Sequence, residues 1–269
     1  MNMIVDAHVH IAAGYQTADE LITRMDANNV GKAVLLQGNY YGNRNTEVLE
    51  AVRRFPRRLR GACFIDPFRG DRRETLSLIR QPGFAAVKIE FSCPTGFSGI
   101  YPGVRLNEDM EWLWEVIADE YKVLTLDLGA PGTEAYQTNA VREIVTRWGM
   151  KTVICHLSQP VPEISDNSYL MDAWLEQLSL GELPNVYFDT ASLLTYYKDR
   201  PDGADMAGAI LNKAISLVGF EKIIFGSDIP GTLVTYSYTD MISWVKNNIN
   251  SERVKKSILE DNAQSIYFG

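Results

Sequence analysis

Asp6-Ala7-His8-Val9-His10 closes the first apolar run of this chain, and how that run is read decides the fold. In an extended strand successive side chains point to opposite faces, so Asp6, His8 and His10 share one face while Ala7 and Val9 share the other. An ionisable side chain at the end of a buried strand has to be paired, hydrogen-bonded or metal-bound. Two imidazoles two residues apart converge on one point, as nitrogen ligands of a divalent ion do. A hydrogen-bonded core pair is the plainer reading of the tripeptide alone, so its context decides between the two.

That context is repetitive. Short β-rich apolar runs recur at 3–10, 32–38, 59–66, 84–91, 123–129, 152–158, 186–192 and 222–228, which predicts eight strands. Helical periodicity fills the intervals. Thr17 with Glu20 three residues on reads as a capping box opening a helix toward Asn29. Asn107 reads as the cap of a helix that places Met110, Leu113, Trp114 and Ile117 on one face, and Ala207, Ile210, Leu211, Ala214 and Val218 mark another such face. Buried parallel strands each need a crossover helix, and eight such units in about 250 residues predict an α/β fold: a single, somewhat distorted (β/α)8 barrel spanning 1–269. An open doubly wound sheet is the alternative. Longer segments follow the fourth, sixth, seventh and eighth strands and would crowd the carboxyl-terminal rim, where barrels place their active sites.

Composition excludes other classes. The chain carries 26 Lys and Arg against 34 Asp and Glu, a net charge of −8, with one local basic cluster at Arg53, Arg54, Arg57, Arg58 and Arg60. This opposes a nucleic-acid surface, and the cluster reads as a solvated helix end. Cys63, Cys93 and Cys155 are widely spaced and odd in number, which fits a reducing cytoplasm better than a disulfide scaffold. The opening Met1-Asn2-Met3-Ile4-Val5-Asp6 lacks the basic-then-apolar pattern of an export signal, and no membrane span is predicted. The expected partner is a small-molecule substrate, with no nucleic acid and no membrane, and association into a homo-oligomer stays open.

Other ionisable residues interrupt later strands: Lys88 and Glu90 on the fourth, Asp127 on the fifth, His156 on the sixth, Asp189 on the seventh and Asp228 on the eighth. All three histidines of the chain belong to this set. Each residue also has a bland reading, His156 as a hydrogen-bonded core histidine and Asp228 as a turn cap. Asp189, followed by Thr190-Ala191-Ser192, reads as a structural hydrogen-bond acceptor rather than a ligand.

The ordered set DAHVH (6–10), VKI (87–89), CHLS (155–158), FGSDIP (225–230) and NAQSIY (262–267) resembles the amidohydrolase superfamily, in its amidohydrolase-related or family 2 group. The resemblance runs in order along essentially the whole chain. It implies a distorted barrel enzyme, either a hydrolase of lactones and related compounds or a metal-dependent decarboxylase or hydratase of small carboxylated or phenolic molecules. It also implies His8 and His10 as metal ligands, Asp228 as a carboxylate that binds metal and moves protons, and His156 as a group acting on substrate.

One position departs from the pattern. Where the family usually has a metal-binding histidine on the fifth strand, this chain reads Thr125-Leu126-Asp127-Leu128-Gly129. Asp127 is then a metal ligand that favours harder ions, or an outer partner of a histidine, or the mark of a site without metal. Lys88, the counterpart of a lysine carbamylated in other branches, is expected unmodified and paired with Glu90 or with a substrate carboxylate.

The leading expectation is hydrolysis of an amide, ester or lactone with one divalent ion, zinc first and Mn, Fe or Co as alternatives, held by His8, His10, Asp228 and Asp127. The ion would lower the pKa of water from about 15.7 to roughly 7, with Asp228 accepting the proton and His156 serving the substrate oxygen or leaving group. Non-oxidative decarboxylation is the rival, with a substrate carboxylate clamped by Lys88 or by one of the loop residues Arg44, Arg69 and Arg105. Tyr40, Tyr41, Phe97, Tyr101, Tyr236 and Tyr238 are candidates for an aromatic-accepting pocket. A barrel that has lost its chemistry and only binds is the non-enzymatic alternative.

Overall fold

The computed structural model describes residues 3–269; Met1 and Asn2, which open the stretch read for an export signal, lie outside the described residues. Eight parallel strands follow one another in chain order around one sheet: β1 (Ile4–His10), β2 (Val30–Leu36), β3 (Leu59–Phe64), β4 (Phe84–Glu90), β5 (Val123–Asp127), β6 (Thr152–Ile154), β7 (Val186–Asp189) and β8 (Ile223–Ile224). Helices lie between them, so the (β/α)8 expectation holds. The seam closes beyond the end of β8. There the Ala7 N–H donates to Phe225 O at 2.8 Å, the Asp228 N–H to His8 O at 2.8 Å and the His10 N–H to Ile229 O at 2.8 Å.

Local chemistry accounts for most of the helices. Thr17 and Glu20 form both halves of the capping box that starts Ala18–Ala27, the Thr17 N–H donating to Glu20 at 2.7 Å. The face carrying Ala207, Ile210, Leu211 and Ala214 is buried along Gly203–Val218. Asn107 departs from its expected role. Its amide donates to Glu143 at 2.8 Å, and the segment divides at Met110 into Leu106–Asp109 and Glu111–Asp119. Met110, Leu113, Trp114 and Ile117 are nonetheless fully buried, each contributing roughly 1.5–3 kcal/mol, so packing rather than capping sets this element. The helix Asn262–Tyr267 plugs the bottom of the barrel, packing Ala263, Ile266 and Tyr267 against Val5, Ala7 and Val123. Among the described residues, no helix is long and apolar enough to cross a membrane.

The strands end earlier than their apolar runs. Runs read to 129, 158, 192 and 228 stop at Asp127, Ile154, Asp189 and Ile224. Beyond those points the chain leaves extended geometry to aim polar side chains across the rim.

β1 corrects the simple alternation. Asp6 pairs with Ala33 and Val9 with Leu35, so three steps on β1 face two on β2, and one extra residue is bulged. The bulge changes the parity of the strand. Ala7 packs in the barrel interior, His8 and His10 face the cleft at its top, and Asp6 turns the other way. The Asp6 carboxylate, fully buried, accepts hydrogen bonds from its own strand's His8 N–H at 3.1 Å, from Ser227 N–H at 3.0 Å and from the Tyr238 hydroxyl at 2.7 Å. It is a structural clasp between β1, the β8 loop and the helix Tyr238–Asn248.

Burial pushes the Asp6 carboxyl up from 3.8 to about 6, against the pull of those donors. The folded protein therefore holds this proton more tightly than the unfolded chain. The associated stability, on the order of 3 kcal/mol, is complete below pH 3.8 and is lost as pH rises through about 6. Asn can keep the two N–H bonds on Oδ1 and donate its own amide to the Tyr238 oxygen without titrating, whereas Ala strands three donors. In urea denaturation we expect Asp6→Ala to lose about 2–5 kcal/mol. The stability of wild type relative to Asp6→Asn should fall between pH 5 and pH 7.5. A difference independent of pH would contradict this assignment.

Candidate metal centre

The three histidines meet in one cleft at the carboxyl-terminal rim. The cleft has a volume of about 350 Å³ and is lined by His8, His10, Lys88, Asp127, His156 and Asp228, among others. Ring centroids of His8 lie 5.1 Å from His10 and 4.8 Å from His156.

What fixes each ring is its Nδ1. His8 Nδ1 lies 2.9 Å from Asp189 Oδ2, His10 Nδ1 2.9 Å from Leu36 O, and His156 Nδ1 3.2 Å from Ala191 O. A carbonyl oxygen only accepts, and an ionised carboxylate does the same, so in all three rings Nδ1 carries the proton. The Nε2 of His8 and that of His156 are left to present lone pairs, whereas His10 Nε2 is engaged with Asp228 Oδ1 at 2.9 Å. Burial pushes His8 down to about 4, outweighing Asp189, so this ring is neutral at ordinary pH. Outward N–H groups tied to carboxylate or carbonyl partners are the arrangement that orients metal-binding imidazoles.

Asp228 faces these nitrogens. Its Oδ1 lies 2.9 Å from His10 Nε2 and 3.7 Å from His8 Nε2, and its Oδ2 accepts a short hydrogen bond from the Ser192 hydroxyl. Burial alone would raise this carboxyl. The His10 hydrogen bond and the neighbouring imidazoles outweigh it and hold Asp228 well below the usual carboxylate range. Donor atoms of His8, His156 and Asp228 all fall within 4.8 Å of one another. Two ligands of one tetrahedral zinc ion lie about 3.3 Å apart, so this set must draw together to hold an ion, and His10 Nε2, 2.9 Å from Asp228 Oδ1, lies at the same carboxylate. His8, Cys155 and Asp189 form a second group that meets the same spacing. There, however, Asp189 is committed to His8, and burial pushes the Cys155 thiol well above its usual value, so that group lacks a free thiolate.

The position of His156 depends on an unusual turn. After β6, residues His156, Leu157, Ser158 and Gln159 take φ values of 59°, 51°, 61° and 48°, a left-handed run of four non-glycine residues. Such residues cost roughly 1–2 kcal/mol each. Three bonds hold the run, two of them buried: the His156 N–H donates to Asp189 Oδ1 at 2.7 Å and Trp174 Nε1 to Leu157 O at 2.9 Å, while the part-buried Tyr136 hydroxyl donates to Ser158 O at 2.9 Å. Asp189 thus serves His8 with one oxygen and His156 with the other, the structural acceptor expected of it. Asp228 is itself left-handed at φ 62°. Gly226 before it is required, because a Cβ there would sit 2.8 Å from the His8 Cβ.

Asp127 stands on the far side of His156, with Oδ2 3.8 Å from His156 Nε2 and 4.0 Å from Lys88 Nζ, while Oδ1 accepts the Gly129 N–H at 2.9 Å. Lys88 does not pair with Glu90 as expected. Its ammonium donates to Cys155 Sγ at 3.0 Å, and Glu90 instead accepts the Asn39 N–H at 2.6 Å. Burial works against the Lys88 charge, but the hydrogen bond to Cys155 Sγ and the carboxylates of Asp127 and Glu90 more than offset it and keep the amine protonated. A protonated amine has no lone pair with which to take up CO2, in keeping with an unmodified lysine.

The arginines expected near substrate are elsewhere. Arg105 is ion-paired with Glu108 on the surface, Arg44 with Glu47, and Arg69 lies 3.6 Å from Asp66. In each pair the partner is three residues away along the chain, so local pairing keeps the guanidinium out of the cleft. Tyr41 packs on His10 with centroids 4.7 Å apart, and Tyr238 serves Asp6 rather than a pocket. Ser192, Tyr136 and Trp174 were not singled out from the sequence.

The amidohydrolase family model matches residues 5–269, and the chain belongs to that family. No curated protein matches it. Solved structures share its fold at low identity. A probable 2-pyrone-4,6-dicarboxylic acid hydrolase from Acinetobacter baumannii, with citric acid bound, is 20% identical with a TM-score of 0.77, covering 100% of both chains. An amidohydrolase from Burkholderia multivorans with bound zinc is 18% identical with a TM-score of 0.79, covering 99% of each chain. A dihydroxybenzoic acid decarboxylase from Polaromonas sp. JS666, with manganese and 2-nitroresorcinol, is 16% identical with a TM-score of 0.65, covering 100% of this chain and 97% of that one.

With only three histidines in the chain, tautomers can be read directly. Long-range 15N–1H correlation spectra should show His8 and His156 in the Nδ1–H form at neutral pH, the opposite of the tautomer favoured by free imidazole. Nε2–H signals for both would contradict the lone-pair arrangement.

Proposed function

We propose that this chain is a metal-dependent hydrolase that cleaves an ester, lactone or amide bond of a small molecule in the cytoplasm. One divalent ion, zinc first, would be held by His8, His10 and Asp228, with Asp127 nearby. The observation that carries this reading is the meeting of His8, His10 and His156, each ring fixed through Nδ1, with the part-buried Asp228 carboxylate held ionised. When bound, a divalent ion supplies Lewis acidity, polarising a substrate oxygen and making water more acidic.

The chain's own residues supply the rest. Asp228, anionic and oriented by Ser192, accepts the proton of the attacking water. His156 presents Nε2 to the cleft, and once protonated it can donate to the leaving group. Asp127, 3.8 Å from that nitrogen, stabilises the resulting imidazolium. Decarboxylation needs an acid to protonate carbon and a clamp for the substrate carboxylate. Arg44, Arg69 and Arg105 are paired elsewhere and Lys88 is engaged with Cys155, which leaves none of them free as a clamp and favours hydrolysis.

Lactones, simple esters and hydroxybenzoates assayed by pH-stat with parallel CO2 detection separate the two reactions. Acid release from an ester or lactone without CO2 is expected, and CO2 release without net cleavage would overturn the proposal. His156→Asn should retain metal while turnover falls by about 10²–10⁴. Loss of metal in that variant would place His156 on the ion instead.

A further inference from the structure

The polar inventory of the cleft is one-sided. Its only cationic side chain, Lys88, already contacts Cys155 and Asp127, and no arginine lines it. Glu90, Asp127 and Asp228 bring three carboxylates to the same lining. With Lys88 charged, the lining is net negative, and a divalent ion does no more than neutralise it.

A separate observation concerns Gln37, which lines the cleft at the end of β2 and is fully buried. Its Nε2 donates to Ile11 O at 2.9 Å, and because a carbonyl only accepts, this fixes the orientation of the amide. The Oε1 is then a buried acceptor with no partner. A buried acceptor left unmet is costly, so a ligand that brings a donor to it gains more than one that does not. At the mouth, Tyr40 and Tyr41 pack edge to face at 5.0 Å, and Tyr15 lies 5.6 Å from Tyr41. Tyr15 and Tyr40 are exposed, and their aromatic faces attract cations and repel carboxylates.

Building on the hydrolase reading, we propose that the substrate is uncharged or cationic, carries an N–H or ammonium donor received by Gln37 Oε1, and bears no carboxylate. Gln37 is then a specificity-determining residue, and the cleft selects against the carboxylated molecules that the names of some fold neighbours describe.

Equilibrium binding tests this without requiring turnover. Isothermal titration of the purified protein with benzylammonium, benzyl alcohol and benzoate, matched in size, should give benzylammonium as the tightest and benzoate at least about tenfold weaker. In Gln37→Met, which keeps the side chain's length but removes the acceptor, the advantage of benzylammonium over benzoate should shrink by about tenfold, with benzoate affinity unchanged. Benzoate binding tightest would overturn the inference, and an unchanged preference in Gln37→Met would remove Gln37 from it. The hydrolase reading fails separately. Charge preference without ester or lactone cleavage would refute hydrolysis alone, whereas cleavage confined to carboxylated esters would refute the charge inference alone.

Discussion

One buried carboxylate organises the rim. Asp189 is inaccessible to solvent, and both its oxygens are engaged: Oδ2 with His8 Nδ1, Oδ1 with the backbone N–H groups of His156 and Ala191. Burial alone would raise its pKa, but the His8 and His156 donors outweigh that and keep it ionised. A charge placed there without donors would be too costly to keep, so the donors must come to it. The result ties the end of β7 to β1 and to the turn after β6, the two segments that carry His8 and His156. It also sets the His8 tautomer, and through it the direction in which a lone pair is offered.

The rest of the site follows the same pattern of rigid partners behind reactive atoms. Asp228 lies between His10 and Ser192, His10 is fixed from behind by Leu36 O, and the turn bearing His156 is pinned by Trp174 and Tyr136. These arrangements sacrifice stability locally. The left-handed run from His156 to Gln159 and the bulge at Ala7-His8 are conformations that an ordinary barrel strand would avoid. They persist because the surrounding core over-determines them. Asp6 belongs to this support, since its three hydrogen bonds hold β1 against the loop after β8.

The parts legible from sequence were those governed by period and type. Eight apolar runs alternating with helical faces gave the barrel, and histidines and acids at strand ends marked the rim. Parity was not legible. Alternation placed Asp6 beside His8 and His10, but one bulged residue sent it to the opposite face, and a bulge without glycine or proline has no local signature. The turn at His156–Gln159 was equally hidden, because it is stabilised by side chains distant in sequence rather than by its own propensities. Arg105 and Asn107 failed for a simpler reason. Pairing with Glu108 and Glu143 prevailed over clamp and cap.

The central claim is that this histidine and carboxylate set holds a divalent ion, and metal content measures it most directly. Elemental analysis of protein purified without chelator should find roughly one equivalent of Zn, Mn, Fe or Co, falling sharply in His8→Ala. Less than roughly a tenth of an equivalent, unchanged by His8→Ala and not restored by added metal, would contradict the account.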